Sequence, residues 1–329
     1  FLWEELWNLE NTAYLSSWLL LLITAGAVIF SLIFERRFWC RYLCPIGGMN
    51  GLFAKLSIVE LRAQQGTCAA ECTTYHCYKG GIGFGEGSTT DGCPIYSHPA
   101  QLTDNKDCVL CMTCLKACPH RSVELNLRPP GIELWTTHIP HGYEVALLFL
   151  LLGGVYLHHL PGINHILDLK VDLTQFFPHL GLSIAAIIIP ATIPCLAYIL
   201  MQVIYYLGRL ESIPFKVSKP LPFITLAYGY LPLILGGNLA HYFKLGLEEG
   251  GQIIPVTFAT FGQISENLPS FIADPAAIAF LQGLTLIVAL LVTIFLTQKI
   301  AKRSIRSLIP QHLASLCLII SLWILIVDN

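Results

Sequence analysis

At 329 residues, with 54% hydrophobic and 12% charged residues and a mean hydropathy of +0.63, the chain is too apolar for a soluble protein. Soluble domains carry about 25% charged residues. The formal net charge of −2 offers no basic footprint, which excludes a nucleic-acid-binding role.

A helix that crosses a bilayer needs about 20 mostly apolar residues. The first such segment is 14–34, and it ends in the basic residues Arg36, Arg37 and Arg41. The stretch 39–58 that follows is apolar but broken by Pro45, Gly47, Gly48 and Gly51, and it reads as an interfacial or re-entrant element. It contains Cys40-x3-Cys44-Pro45. Three readings of this pair stay open: ligands of a metal cluster, a separate redox-active or metal-capturing pair, and two buried thiols packing as small apolar groups.

Ten of the 12 cysteines fall between Cys40 and Cys118. Four of them form Cys108-x2-Cys111-x2-Cys114-x3-Cys118-Pro119, the spacing of a bacterial-type ferredoxin run. Three thiolates on one tight loop grip a cubane 4Fe-4S cluster, and the cysteine before proline serves a second cluster. A structural zinc site needs only paired Cys-x2-Cys units. A first, stretched half reads Cys68-x3-Cys72-x4-Cys77-x15-Cys93-Pro94, with a glycine-rich insertion from Gly80 to Gly92 that can loop out. Exchange of the fourth ligands gives one site from Cys93, Cys108, Cys111 and Cys114 and another from Cys68, Cys72, Cys77 and Cys118. Lys116, Arg121 and Arg128 are the basic residues nearest the intact run, where positive charge would raise a cluster's potential.

Five further apolar segments follow at 142–160, 180–208, 222–244, 276–298 and 309–327. Pro190 and Pro194 predict a kink in the third span of the chain. If the region between the first two spans lies inside, all 19 Lys and Arg residues except Lys170 and Lys244 lie inside as well. Both chain ends are then outside, and the acidic segment 245–275 folds over the outer face. The expected fold is a polytopic α-helical membrane protein of about six spans, with an inserted, loop-rich, two-cluster ferredoxin-like domain. Residues 1–34 form the outer N-terminus and first span, 35–140 the cytoplasmic-side iron–sulfur domain, and 141–329 a five-span membrane domain. The start at Phe1 reads either as processed or as preceded by further sequence.

His158, His159, His165, His179 and His241 map to the outer ends of spans, and His138, His141 and His312 to the inner ends. An outer haem b or metal could draw on His158 or His159 with His179 or His241, and an inner haem on His141 with His312. The competing reading is plain interface histidines. Asn238 is polar within an apolar span, which marks either a functional site or a helix–helix hydrogen bond admitted by Gly236 and Gly237. Cys195 and Cys317 read as core residues.

Phe38-Trp39-Cys40-Arg41-Tyr42-Leu43-Cys44-Pro45-Ile46-Gly47-Gly48, after a basic-ended span and before a ferredoxin run, resembles the membrane polyferredoxin family of NapH-, NosR- and CcoG-like 4Fe-4S membrane proteins. The resemblance covers roughly residues 14–140. It implies electron transfer at a cytoplasmic-type (or thylakoid) membrane, with redox proteins or quinol as partners, lipid around the spans and a larger membrane complex as a setting. Family members often carry two Cys-x3-Cys-Pro motifs and more regular ferredoxin halves; this chain has one such membrane-proximal motif.

Three functions compete. The first is electron transfer between a cytoplasmic donor or quinol and a membrane or outer-face partner. The second is a copper reductase or assembly factor that uses Cys40 and Cys44. The third is a redox sensor or transporter. The sequence leaves it undecided whether the chain is an enzyme in its own right. It has no Walker-type loop and no Gly-x-Ser-x-Gly elbow.

Overall fold

A computed structural model describes residues 6–7, 12–34, 38–82, 89–210, 219–262 and 272–328; the side chains of Arg41, Arg209 and Leu210 are outside the description. The chain divides into two compact units, one from Glu10 to Ile139 and a second centred on Pro140–Asn329. Five helices are long and apolar enough to cross a membrane, or six if one bent pair counts as a span.

The first unit opens with α1 (Ala13–Ile33), which buries none of its residues. Its hydroxyls are satisfied within the helix: Thr24 donates to the Leu20 carbonyl at 2.8 Å and Ser31 to that of Ala27 at 2.6 Å. A helix that is apolar on every side and internally satisfied is suited to lipid. A stack of Phe30, Phe34 and Phe38 follows, with 4.5 Å between the last two rings. Trp39 then turns back over Gly26, where a Cβ would meet the indole at 2.7 Å. This return makes a wide π-type turn at Trp39–Leu43, followed by α2 (Pro45–Ala54) with Pro45 at its first position. The expected re-entrant stretch is thus a turn and a short helix.

The cysteine-rich part is closed by a two-stranded antiparallel sheet. Strand β1 (Val59–Ala63) pairs with β2 (Val123–Leu127) in the register Val59↔Leu127 to Ala63↔Val123. Leu61 and Val123 are buried on one face. Such a ribbon is marginal alone, and it is extended at both ends by the Gln64 N–H to Ser122 and Arg128 N–H to Ile58 bonds. Between the strands lie α3 (Gln65–Glu71), α4 (His76–Lys79) and α5 (Thr113–Ala117), and after them α6 (Glu133–Thr136). At the base of the glycine-rich insertion Gly81 and Thr90 exchange two backbone bonds at 2.8 and 3.0 Å. Gly83 and Gly85 lie outside the described residues.

The second unit is an all-helical bundle. Helix α7 (Gly142–His158) and α8 (Leu160–Ile166) meet at a 68° bend. The span expected at 142–160 is α7, and at its end the chain bends into α8, with Pro161 inside the first turn, where it needs no N–H. Helix α9 (Phe176–Leu210) continues through Pro190 and Pro194 without interruption. The next span is α10 (Phe223–Ala227), a 3-10 turn at Tyr228–Tyr230, and α11 (Leu231–Lys244). Helical structure then runs on through Leu245–Glu249 to α12 (Ile253–Thr260), so the first half of 245–275 is a helical continuation, not a covering loop. Helices α13 (Pro275–Ala301) and α14 (Ile309–Ile326) complete the bundle. Leu148, Leu233, Ile234, Leu286, Leu318 and Leu322 form its fully buried centre. Gly236 lets α11 lie directly on Ala289 of α13, and Asn238 donates to the Ile234 carbonyl of its own helix at 2.8 Å. Cys195 and Cys317, expected in the core, are exposed on helix faces, a placement that a weakly polar thiol tolerates.

Candidate iron–sulfur site

The cysteines of the first unit sit on short helices and tight turns. Cys68 is on α3, Cys77 on α4 and Cys114 on α5; Cys72 follows α3 and Cys118 follows α5. Leu110 and Met112, on either side of Cys111, have φ of +50° and +59°, as does Tyr75 at +56° before α4. Left-handed residues alternating with right-handed ones turn successive backbone N–H groups toward one centre, a concavity that recurs at iron–sulfur sites. The Ser97 N–H donates to the Cys93 sulfur at 3.4 Å, and Cys68 Sγ lies 3.1 Å from Ser122 Oγ.

The thiols act on one another both within each run and between the two runs. Burial, and after it the thiolates of Cys114, Cys72, Cys118 and Cys68, pushes Cys77 up to about 12. Burial, Cys108, Cys111 and Cys93 push Cys114 up to about 11, against the pull of a Leu115 amide bond. Burial raises Cys108 as well; a Leu110 amide and the Arg62 guanidinium oppose it, while Cys111 and Cys93 add to it. Thiolates crowded in a poorly solvated place cannot all ionise unless positive charge sits among them. The irons of a cluster provide that charge, so the residues fit the group. Among the described residues no three His, Cys, Asp or Glu side chains close around a single metal-ion position.

Of the basic residues singled out beside the run, Lys116 and Arg121 are exposed. Arg128 is 6% exposed and turned away into an ion network with Glu60 and Glu133. The cation that does act on a run thiol is Arg62, which lies 46 residues before Cys108 and which no local spacing marks.

Cys40 is exposed and Cys44 half-buried at the π-type turn. Gly47 packs against the Cys40 carbonyl with no room for a Cβ, which fixes the turn against α2. Arg36, Arg37 and the Arg41 side chain are outside the description.

In the second unit His158, His159 and His241 do come together. The His158 and His241 rings stack with centroids 5.2 Å apart, and His159 Nε2 is 3.1 Å from His241 Nδ1. Two imidazole nitrogens in direct hydrogen-bond contact leave no gap for an iron and its macrocycle, so this arrangement does not fit a haem. His179 is on the first turn of α9. For the inner pair, His141 stacks on Tyr143 and His312 Nε2 lies 2.8 Å from Gln298 Nε2. A cavity of about 410 Å³ lies among α7, α8, α9 and α14, lined by Leu182, Ala186, Ile189, Pro190 and Leu325, with Tyr156 and Ser321, whose hydroxyls bond to each other, also in its lining.

Residues 16–60 match the family described as a 4Fe-4S binding domain. The chain is 29% identical over 113 residues to the putative electron transport protein YccM of Escherichia coli, covering 33% of this chain and 28% of the relative. It is 31% identical over 103 residues to the protein NirI of Paracoccus denitrificans, covering 31% of this chain and 13% of the relative. It is 31% identical over 118 residues to the methylamine utilization ferredoxin-type protein MauN of Methylorubrum extorquens, covering 34% of this chain and 37% of the relative. The chain thus spans well under half the length of these curated relatives. No solved structure matches it. The comparisons bear out the resemblance carried by the cysteine motifs: apolar helices joined to a 4Fe-4S binding domain are what the membrane polyferredoxin family implies.

Proposed function

We propose that this chain is a membrane-bound electron-transfer protein with two 4Fe-4S clusters, one held by Cys68, Cys72, Cys77 and Cys118 and the other by Cys93, Cys108, Cys111 and Cys114. The spacing carries the reading: Cys108, Cys111, Cys114 and Cys118-Pro119 keep the ferredoxin pattern, and Cys68, Cys72, Cys77 and Cys93-Pro94 a stretched copy of it, which supports two ligand sets that exchange their fourth cysteine. A bound cluster supplies one-electron storage, and the residues here hold it and set its potential. The relatives' description as electron transport and ferredoxin-type proteins supports the same activity. The distribution of Lys and Arg supports a cytoplasmic-side cluster region with both termini outside.

Redox proteins and quinol are the exchange partners. The apolar cavity, whose lining includes Tyr156 and Ser321, supports quinol, because it is apolar and large enough for a ring. The purified full-length protein tests the main reading: about eight irons and eight acid-labile sulfides per chain, with two reducible cluster signals in electron paramagnetic resonance. About four irons would reduce the proposal to a single cluster, and none would end it.

The second reading is metal reduction at Cys40 and Cys44. The matched 4Fe-4S stretch contains these two cysteines and no others, which favours their belonging to the iron–sulfur machinery. A Cys40→Ser, Cys44→Ser double variant that keeps both cluster signals but loses copper reduction would reverse that preference.

A further inference from the structure

The Arg62 guanidinium is held in place from four sides. It donates to the Leu61 carbonyl at 2.8 Å, to Asn105 Oδ1 at 3.1 Å and to Glu133 Oε1 at 3.2 Å, and lies 3.3 Å from Glu60 Oε2. Asn105, 2% exposed, is itself fixed by an Nδ2 bond to the Val59 carbonyl at 2.8 Å. The Asn105 carbonyl in turn accepts the Cys108 N–H at 3.2 Å. A fixed cation is thus joined through one residue to the first cysteine of the intact run. In the other set Cys68 Sγ lies 3.1 Å from the neutral Ser122 hydroxyl.

Reduction adds one negative charge to a cluster, so a fixed cation stabilises the reduced form, and carboxylates beside that cation weaken the effect. The facing charges are Glu60 and Glu133, with Arg128 bonded to both carboxylates, and Lys55 is paired at 3.3 Å with Asp104, the residue before Asn105. We infer that Arg62 is a positioning residue that raises the potential of the cluster at Cys93, Cys108, Cys111 and Cys114 above that of its neighbour, and that Glu133 limits the rise. This rests on the ligand sets proposed above. It makes the Cys108 site the resting place of the first electron and gives transfer between the two sites a direction.

The test is a mediated redox titration of the full-length protein in detergent, with dithionite as reductant and both cluster signals followed by electron paramagnetic resonance. The wild type should show two distinct midpoints. Arg62→Met should lower the higher one by about a tenfold change in the reduction equilibrium, about 59 mV for one electron, and move the lower one less. Glu133→Gln should shift the higher midpoint upward, and Arg62→Lys should fall between wild type and Arg62→Met. A merely structural role would not produce shifts of opposite sign. Two cluster signals whose midpoints are unmoved by Glu133→Gln, or moved the same way by both substitutions, would overturn the inference while leaving the two-cluster reading intact. If Arg62→Met fails to assemble, the sign of the Glu133→Gln shift decides alone. A wild type without two signals would refute the underlying ligand reading.

Discussion

Cys77 and Cys114 stand on two packed short helices, α4 and α5, and Cys114 is the strongest charged influence on the Cys77 thiol. The two thiol sets therefore abut. With the two clusters proposed above, electrons would have a short path from one set to the other, and the two sites should sense each other magnetically.

The exchange of ligands between halves is open to a direct check. Cys77→Ser and Cys118→Ser should weaken the same cluster signal, and Cys93→Ser should weaken the one that Cys108→Ser weakens. Each should remove about four irons per chain. Pairing of Cys118 with Cys108 in their spectral effects would show that each run holds its own cluster.

Arg128 is buried among Glu60, Glu133 and the carbonyls of Ser57 and Lys55. Its removal leaves a buried carboxylate without its main partner, and breaking such a pair costs about 3–5 kcal/mol. Arg128→Ala should lower the denaturation midpoint of the cysteine-rich unit far more than Arg121→Ala, since Arg121 is exposed.

Glu133 gives a pH dependence of known sign. Burial raises its pKa above 4.5, outweighing the lowering by Arg128 and Arg62. A carboxyl whose folded value is raised contributes stability that is fully present below its unfolded value and lost as pH rises through the folded one. The stability of the wild type relative to Glu133→Gln should therefore decline as pH climbs from about 4 through the raised value. A difference that grows over this interval would contradict the burial argument. Denaturation at a series of pH values measures it.

Gly47 has no space for a side chain, because a Cβ there would strike the Cys40 carbonyl. Gly47→Ala should cost about 1–3 kcal/mol as an overpacked contact. It should also change the alkylation rates of Cys40 and Cys44 by displacing the turn that carries them. Gly66→Ala, with open space around it, is the control.

Filling the bundle cavity should separate quinol reactivity from cluster content. Ala186→Phe places a ring into the cavity lining. Reduction of the clusters by added quinol should fall at least about tenfold, as expected when about 1.4 kcal/mol of binding is lost, while iron content stays the same. Unchanged quinol reduction would remove the cavity from the path.

Elements whose code is local were legible in the chain. The spans are continuous apolar runs, and the intact run Cys108 to Pro119 is a local motif because its three loop ligands serve one site. Breaks were harder to read. The bend at His159 depends on Pro161 lying just beyond a helix end, and the continuity of α9 through two prolines depends on the neighbouring helices. The stretch 245–260, expected only as part of an acidic segment over the outer face, is largely helical.

By itself, then, the sequence determined that this is a membrane protein with a cysteine-rich insertion that carries one intact and one stretched ferredoxin half. Apolar length and thiol spacing are properties of contiguous residues. Only the tertiary structure decided what surrounds those thiols. Arg62 reaches Asn105 and Glu133 because β1 pairs with β2 and brings α6 beneath it, contacts spanning 43 and 71 residues. In the same way His159 meets His241 only because α7 and α11 pack together. Charge acts through space, so the residue that most affects a cysteine need not be near it in the chain.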